Sequence, residues 1–305
     1  MVLNYLKIVF NRLNEFVLYG NRRQNSLSEH NFRTEIIQNK KFSPIFFLST
    51  GRTGTQLFAE LLEHSKQTKV FHSPSALFCN AQSELIEQGK VSYEMYKKYG
   101  LDNEQTNDLV SQIFMASRED LLYKSYLHDK VYIETNNRIT FLAPAIKKIF
   151  PHAKFVHLYR HPGEFIRSGI RRNYYIGDDN HQIGMIRPIN TDSYFNLWKD
   201  MDSVEKVSWL WNETNSFIDD FFQTITRKDY IQFNFNNLTV EHINELMNFL
   251  NINDISKKTI KKAIDTPKNI QKSGSLKKYN KWIDEDKSKV KKICNNLSIK
   301  YGYKL

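Results

Sequence analysis

The chain has 305 residues, with 44 Lys and Arg against 33 Asp and Glu, a formal net charge of +11. With 40% hydrophobic and 25% charged residues it is not a disordered chain, and its length allows an ample core in one large domain or two small ones. Two cysteines, Cys79 and Cys294, exclude a disulfide framework and fit a reducing, cytoplasm-like compartment, while the positive excess suggests an anionic ligand: a nucleotide, a nucleic acid or a lipid surface.

Residues 1–20 are the most hydrophobic N-terminal stretch, but Asn4, Lys7, Asn11, Arg12, Asn14 and Glu15 interrupt it. A bilayer-spanning helix needs ~20 mostly apolar residues. A secretory signal needs an unbroken apolar core and a small-residue cleavage site, and neither is present. Leu3, Leu6, Phe10, Leu13 and Val17 repeat at helical spacing, which predicts an amphipathic helix. Packing on the domain and contact with a membrane surface or partner both remain open for it. Residues 1–40 are therefore read as this helix and a polar lead-in, and 41–305 as one α/β domain, cytoplasmic with a possible membrane association.

Ile45 to Leu48 is a short apolar run between Pro44 and Ser49-Thr50-Gly51, the pattern of a buried parallel strand. A helix is expected from about Thr55 to His64 and a strand over Lys69 to His72. From Ala76 to Asp129 the pattern is polar and mostly helical. Val131 to Ile133 reads as a strand, Phe141 to Phe150 as a helix and Lys154 to Tyr159 as the clearest strand of the chain. Pro162 fits the first turn of a following helix. After a loop over 177–190 come a long helical stretch from about Ser193 to Ile225, a strand over Tyr230 to Phe233, an amphipathic helix around Ile243 to Leu250 and a helix from about Asp284 to Ser298. The alternation predicts a three-layer α/β fold, with a central, mainly parallel sheet and helices on both faces.

Two motifs carry chemistry. Thr50-Gly51-Arg52-Thr53-Gly54-Thr55-Gln56 lies between a strand and a helix. Free N–H groups and the helix dipole make such a place an anion cradle. Gly51 and Gly54 allow unusual backbone angles, and Arg52 adds a donor fork suited to phosphate or sulfate oxygens. It is not a Walker A loop, because Gly54 is followed by Thr55 rather than by Lys-Ser/Thr. In the second motif Arg160 closes a strand and Ser168 lies on the second turn of the next helix. Both are expected at the sheet edge outside the strand C-termini, where open α/β sheets bind ligands.

Residues 49–55 resemble the 5′-phosphosulfate loop of sulfotransferases that use 3′-phosphoadenosine 5′-phosphosulfate (PAPS). Phe150 to Pro162, continuing to Ser168, resembles their 3′-phosphate-binding strand and helix. The resemblance is strong over 45–56 and 150–172, loose over the rest from Val70 onward, and absent over 1–40. It implies a P-loop-like fold. It also implies that Gly51, Arg52, Thr53, Gly54, Thr55 and Gln56 cradle the 5′-phosphosulfate, with Arg52 on the transferring group. Arg160 and Ser168 would hold the 3′-phosphate, and Lys272, Ser273 and Gly274 would close that site. The reaction implied is in-line sulfuryl transfer to a hydroxyl or amine, without a metal, on a small-molecule or glycan acceptor such as a carbohydrate or glycolipid.

The acceptor's proton requires a base. His72 follows the second strand and is the first choice, although Ser73 stands where many bacterial members carry Glu before the Pro. Glu134, at the end of the third strand, is the second choice, either as base or orienting the acceptor with Asn136 or Asn137. Arg171, Arg172 and Arg187 flank a loop where they would meet an acidic acceptor. Two other readings compete. A P-loop phosphotransferase using ATP and Mg²⁺ is opposed by the missing Lys-Ser/Thr. A polyanion-binding module is permitted by the charge, but no helix-turn-helix or RNA-binding aromatic motif supports it, and no nucleic-acid partner is expected. The oligomeric state is not legible.

Overall fold

The computed structural model describes residues 34–37, 39, 41–72, 82–176, 185–266 and 276–305, with only the backbone described for 82–86. The expected amphipathic helix over 1–20, Ser73 and the Lys272-Ser273-Gly274 segment lie outside the described residues. The chain divides into Met1–Lys41 and Phe42–Leu305. In the first unit, residues 34–37 form a helical turn.

The second unit is built on a five-stranded, all-parallel sheet in the order β2-β3-β1-β4-β5. The strands are β1 (Ile45–Leu48), β2 (Thr68–Phe71), β3 (Val131–Glu134), β4 (Lys154–Tyr159) and β5 (Tyr230–Asn234). β1 is buried along its whole length, as an apolar run without alternation requires of a central parallel strand.

Strand periodicity sends Ile45 and Phe47 to one face, with Val156, which is Phe47's register partner. That face is covered by α1 (Thr55–Leu62), α7 (Val240–Leu250) and α8 (Lys257–Asp265), through Phe58, Leu61, Leu246 and Ile260. Phe46 and Phe155 point to the other face. There Phe46 meets Phe114 of α3 (Glu104–Leu127) at 5.8 Å, and Phe155 meets Phe221 of α6 (Ser203–Gln223) at 5.0 Å. Burying each such ring contributes roughly 1.5–3 kcal/mol. α4 (Ala143–Ile149), α5 (Pro162–Ile170) and α9 (Asp284–Lys300) complete that layer. No described helix is long and apolar enough to cross a membrane.

Two expected helices differ in extent. The stretch from Ala76 to Asp129 holds two helices, α2 (Gln82–Tyr99) and α3. Gly100 turns left-handed at φ 92°, and the Asn103 side chain caps α3 on the Thr106 amide at 2.8 Å. The stretch from Ser193 becomes α6 only at Ser203, where Asp202 and Glu205 form a capping box; turns precede it.

Candidate active site

Because all five strands are parallel, one edge collects their C-terminal ends: Ser49 to Gly54 after β1, His72 after β2, Thr135 to Asn137 after β3, Arg160 after β4 and Phe235 after β5. β1 and β4 are neighbours, but α1 packs on the Phe47 face, whereas α5 packs on α6 across the sheet. Adjacent strands whose helices leave to opposite sides open a crevice between them, and open α/β sheets bind their ligands there.

The β1–α1 loop is held in an unusual backbone shape. Gly51 (φ 76°), Arg52 (φ 57°) and Gly54 (φ 89°) all lie in the left-handed region. For Arg52 this costs on the order of 1 kcal/mol or more. Local bonds keep the shape: the Ser49 hydroxyl accepts from the Gly51 amide at 3.0 Å, and Thr140 grips both the amide and the carbonyl of Ser49, at 3.0 and 3.1 Å. Among the described residues, the backbone N–H groups of Arg52, Thr53, Gly54 and Thr55 have no acceptor. The Thr53 hydroxyl is fully buried and also without a partner. Consecutive free amides in left-handed geometry at a helix start form an anion-binding nest. The Gln56 side chain turns along α1 and donates to Glu60 at 3.0 Å.

The second motif meets the first directly, although more than a hundred residues separate them. Arg52 Nε donates to Ser168 Oγ at 3.1 Å, and an Arg160 guanidinium N–H donates to the Arg52 carbonyl at 3.3 Å. Arg160 lies over the Phe235 ring, 5.7 Å from its centroid, and its own carbonyl accepts from the Trp211 indole at 3.0 Å. α5 starts immediately after Arg160: His161 caps it, Nδ1 accepting from the Gly163 amide at 3.1 Å, and Pro162 takes the first position. Leu276, the first described residue after the Lys272 segment, accepts from Arg167 Nε at 3.0 Å, beside Ser168.

Among the described residues the cations of this crevice outnumber its carboxylates. Burial, then the nearby Arg172 and Arg160, push the Arg52 guanidinium below its ordinary pKa. Burial does the same to Arg160, against the raising effect of Glu164, whose carboxylate is 3.7 Å away. The Nε atoms of Arg160 and Arg172 are buried without partners. Such a group of cations gains from any anion that replaces the lost water.

His72 and Glu134 differ sharply. His72 is half-buried, and its Nδ1 lies 3.0 Å from the Thr135 hydroxyl at the end of β3. Burial lowers its pKa, opposed by Glu60 and by a hydrogen bond at Thr135, so the ring is neutral at pH 7. Glu134 is fully buried, and both of its oxygens are taken: Arg118 of α3 donates to them at 2.8 and 2.9 Å and the Tyr132 hydroxyl at 2.8 Å. A carboxylate in a closed ion pair has no free face for an acceptor's proton, so the expectation that Glu134 is a base or an acceptor contact is corrected. Asn137 lies against Gly51 instead, where a Cβ would come within 3.1 Å of it.

The comparisons decide the family. Residues 44–206, more than half of the chain, match the sequence model of the sulfotransferase family. The chain belongs to this family. Among solved structures, a sulfotransferase from Mycobacterium avium shares the fold, with a TM-score of 0.51 and 11% identity over 94% of this chain and 82% of that one. The sulfotransferase domain from the curacin biosynthetic pathway matches with a TM-score of 0.44 and 15% identity over 86% of this chain and 98% of that one. No curated protein matches. A sulfotransferase chain with this crevice is an enzyme of the transferase class.

Sequence reasoning missed Phe235, Arg138, Tyr174 and Arg118. Phe235 presses on Gly54 so closely that a Cβ there would lie 2.0 Å from the ring. None of the four belongs to either donor motif: the sheet order brings Phe235 to Gly54, whereas Arg138 follows Asn137 and Tyr174 follows Arg172 in the chain.

Proposed function

We propose that this sulfotransferase moves the sulfuryl group of PAPS to a hydroxyl of a small-molecule or glycan acceptor, with His72 as the base. The observation that carries the reading is the contact of the two motifs, with Arg52 joined to Ser168 by its side chain and to Arg160 by its carbonyl. A crevice that joins the free loop amides to Arg52 and Arg160 suits a ligand that bears more than one anionic group. The free amides after Gly51 and the orphaned Thr53 hydroxyl fit the 5′-phosphosulfate, and Arg160 with Ser168 fits the 3′-phosphate. PAPS supplies an activated sulfuryl group on a good leaving group.

The residues of the chain do the rest. Arg52 and the loop amides stabilise charge that grows on the leaving oxygen and the sulfuryl oxygens; one such donor is typically worth ~10²–10³ in rate. Neutral His72 takes the acceptor proton at the ring nitrogen not held by Thr135, Nε2. An acceptor of carbohydrate type is the substrate class favoured by the resemblance in the sequence.

The test is release of 3′,5′-bisphosphoadenosine from PAPS in metal-free buffer, with water as the slow acceptor. The wild type accelerates release, and Arg52→Ala loses most of that acceleration. Turnover of ATP with Mg²⁺ but not of PAPS would replace this reading with the phosphotransferase one.

A further inference from the structure

Beside the nest lies a cavity of about 130 Å³, bounded on one side by Ser49 and Thr50 of the loop and otherwise by residues outside the two donor motifs. Thr50 and Asn137 form its wall toward the loop; Phe141 and Ile186 provide apolar surface, and Arg138 and Tyr174 provide polar groups. An engineered cavity of ~150 Å³ takes one benzene ring, so this space suits a single six-membered ring.

Arg138 is the unexplained group here. Its guanidinium is half-buried, and among the described residues it has no carboxylate partner and no side-chain hydrogen bond. Desolvation lowers its pKa, and the Tyr174 hydroxyl acts in the opposite direction. Tyr174 in turn is close enough to feel Arg52, Arg172 and Arg138 together. The backbone is strained to present it: Asn173 (φ 56°) and Tyr175 (φ 60°) on either side are both left-handed, and the Tyr175 hydroxyl is tied to the Ile186 carbonyl at 2.6 Å. Positive φ at a residue as bulky as tyrosine persists only where the surroundings fix it. Of the three arginines near Tyr174, Arg138 is the one that lines the cavity.

We infer that the acceptor is itself anionic: a hydroxyl compound with a carboxylate or an existing sulfate on a ring, its anion paired with Arg138 and its ring between Phe141 and Tyr174. This rests on the proposed sulfuryl transfer, because it assigns the cavity to the acceptor. It separates the roles of the arginines, Arg52 and Arg160 serving the donor and Arg138 the acceptor.

The probes are 4-fluorobenzoate and its neutral counterpart 4-fluorobenzyl alcohol. Each is titrated by fluorine NMR into the full chain, with and without saturating 3′,5′-bisphosphoadenosine. A charge-assisted hydrogen bond to a partly desolvated guanidinium predicts that the benzoate binds about tenfold tighter than the alcohol. Arg138→Gln abolishes that preference, Arg138→Lys restores part of it, and neither changes affinity for the bisphosphate. Equal affinity of the two probes, no saturable benzoate binding, or a preference that survives Arg138→Gln overturns the inference. Absence of bisphosphate binding in the wild type would instead overturn the donor reading, and the nucleotide-free titration still decides the role of Arg138.

Discussion

Gly54 shows at the scale of one residue how closely the nest is built. It is left-handed, and the Phe235 ring occupies the space of its missing Cβ. Gly54→Ala therefore combines backbone strain with a collision. We expect a loss of at least ~2 kcal/mol, read as a lower urea midpoint, together with loss of bisphosphate binding; unchanged stability and binding would show that the nest tolerates reshaping. His72 gives a second prediction. Burial holds its pKa below the ordinary value of ~6.5, so its ring NMR signals titrate below that value. Glu60 raises it, so Glu60→Gln lowers the midpoint further. A midpoint above ~7 would make His72 mainly a cation at neutral pH and unfit as a base. The sequence singles out the glycines, Arg52 and His72 because their signals are local, and the structure places them all at the C-terminal edge of the sheet. Phe235 was not legible in the sequence, because it acts on Gly54, far away in the chain, and Arg138 was not, because it stands in no motif.

At the scale of elements, Glu134 of β3 forms a buried pair with Arg118 of α3, with side-chain exposures of 0% and 2%. From the sequence, Glu134 looked like a site residue because strand ends at this edge bear function. The residue that neutralises it lies sixteen positions earlier, on a helix face that reads as ordinary polar surface. The chain neighbour of Glu134, Thr135, lies 3.0 Å from His72 Nδ1. Removing one partner of a buried ion pair costs ~3–5 kcal/mol. Glu134→Gln should therefore lower the urea midpoint while the folded fraction still binds bisphosphate. Wild-type stability with lost turnover would return Glu134 to the chemistry. Element boundaries were misread for a related reason. Helical periodicity runs on through Gly100 and through residues 193–202, and only the caps at Asn103 and Asp202 mark where the helices begin.

Across the whole molecule, the alternation of strands and helices was enough to predict a parallel sheet, but not its order. The order 2-3-1-4-5 sets β1 beside β4 and so joins two motifs that the sequence keeps apart. Behind that junction a buried chain of bonds links His157 to Asn215 at 2.8 Å, Asn215 to the Trp211 carbonyl at 2.7 Å, and the Trp211 indole to Arg160. The Asn215 amide N–H is spent on Trp211, so its oxygen faces His157, and Nε2 of the imidazole carries the proton. Burial pushes His157 down to about 4. The unfolded chain, with an imidazole near 6.5, therefore binds more protons at mildly acidic pH. His157 thus contributes stability that is present above pH ~6.5 and lost as pH falls toward 4, on the order of 3 kcal/mol. Urea midpoints over that range should drop, less so in His157→Asn; a flat wild-type profile would contradict this account.

We propose that the β1–α1 nest and the β4–α5 junction form one donor site. The most direct measurement is calorimetric titration with 3′,5′-bisphosphoadenosine in metal-free buffer, beside ATP with Mg²⁺, on the wild type and on Arg160→Ala. We predict micromolar binding of the bisphosphate to the wild type without metal, and its loss in Arg160→Ala with the fold intact. Binding of ATP with Mg²⁺ alone, or bisphosphate binding that is indifferent to Arg160, would contradict it.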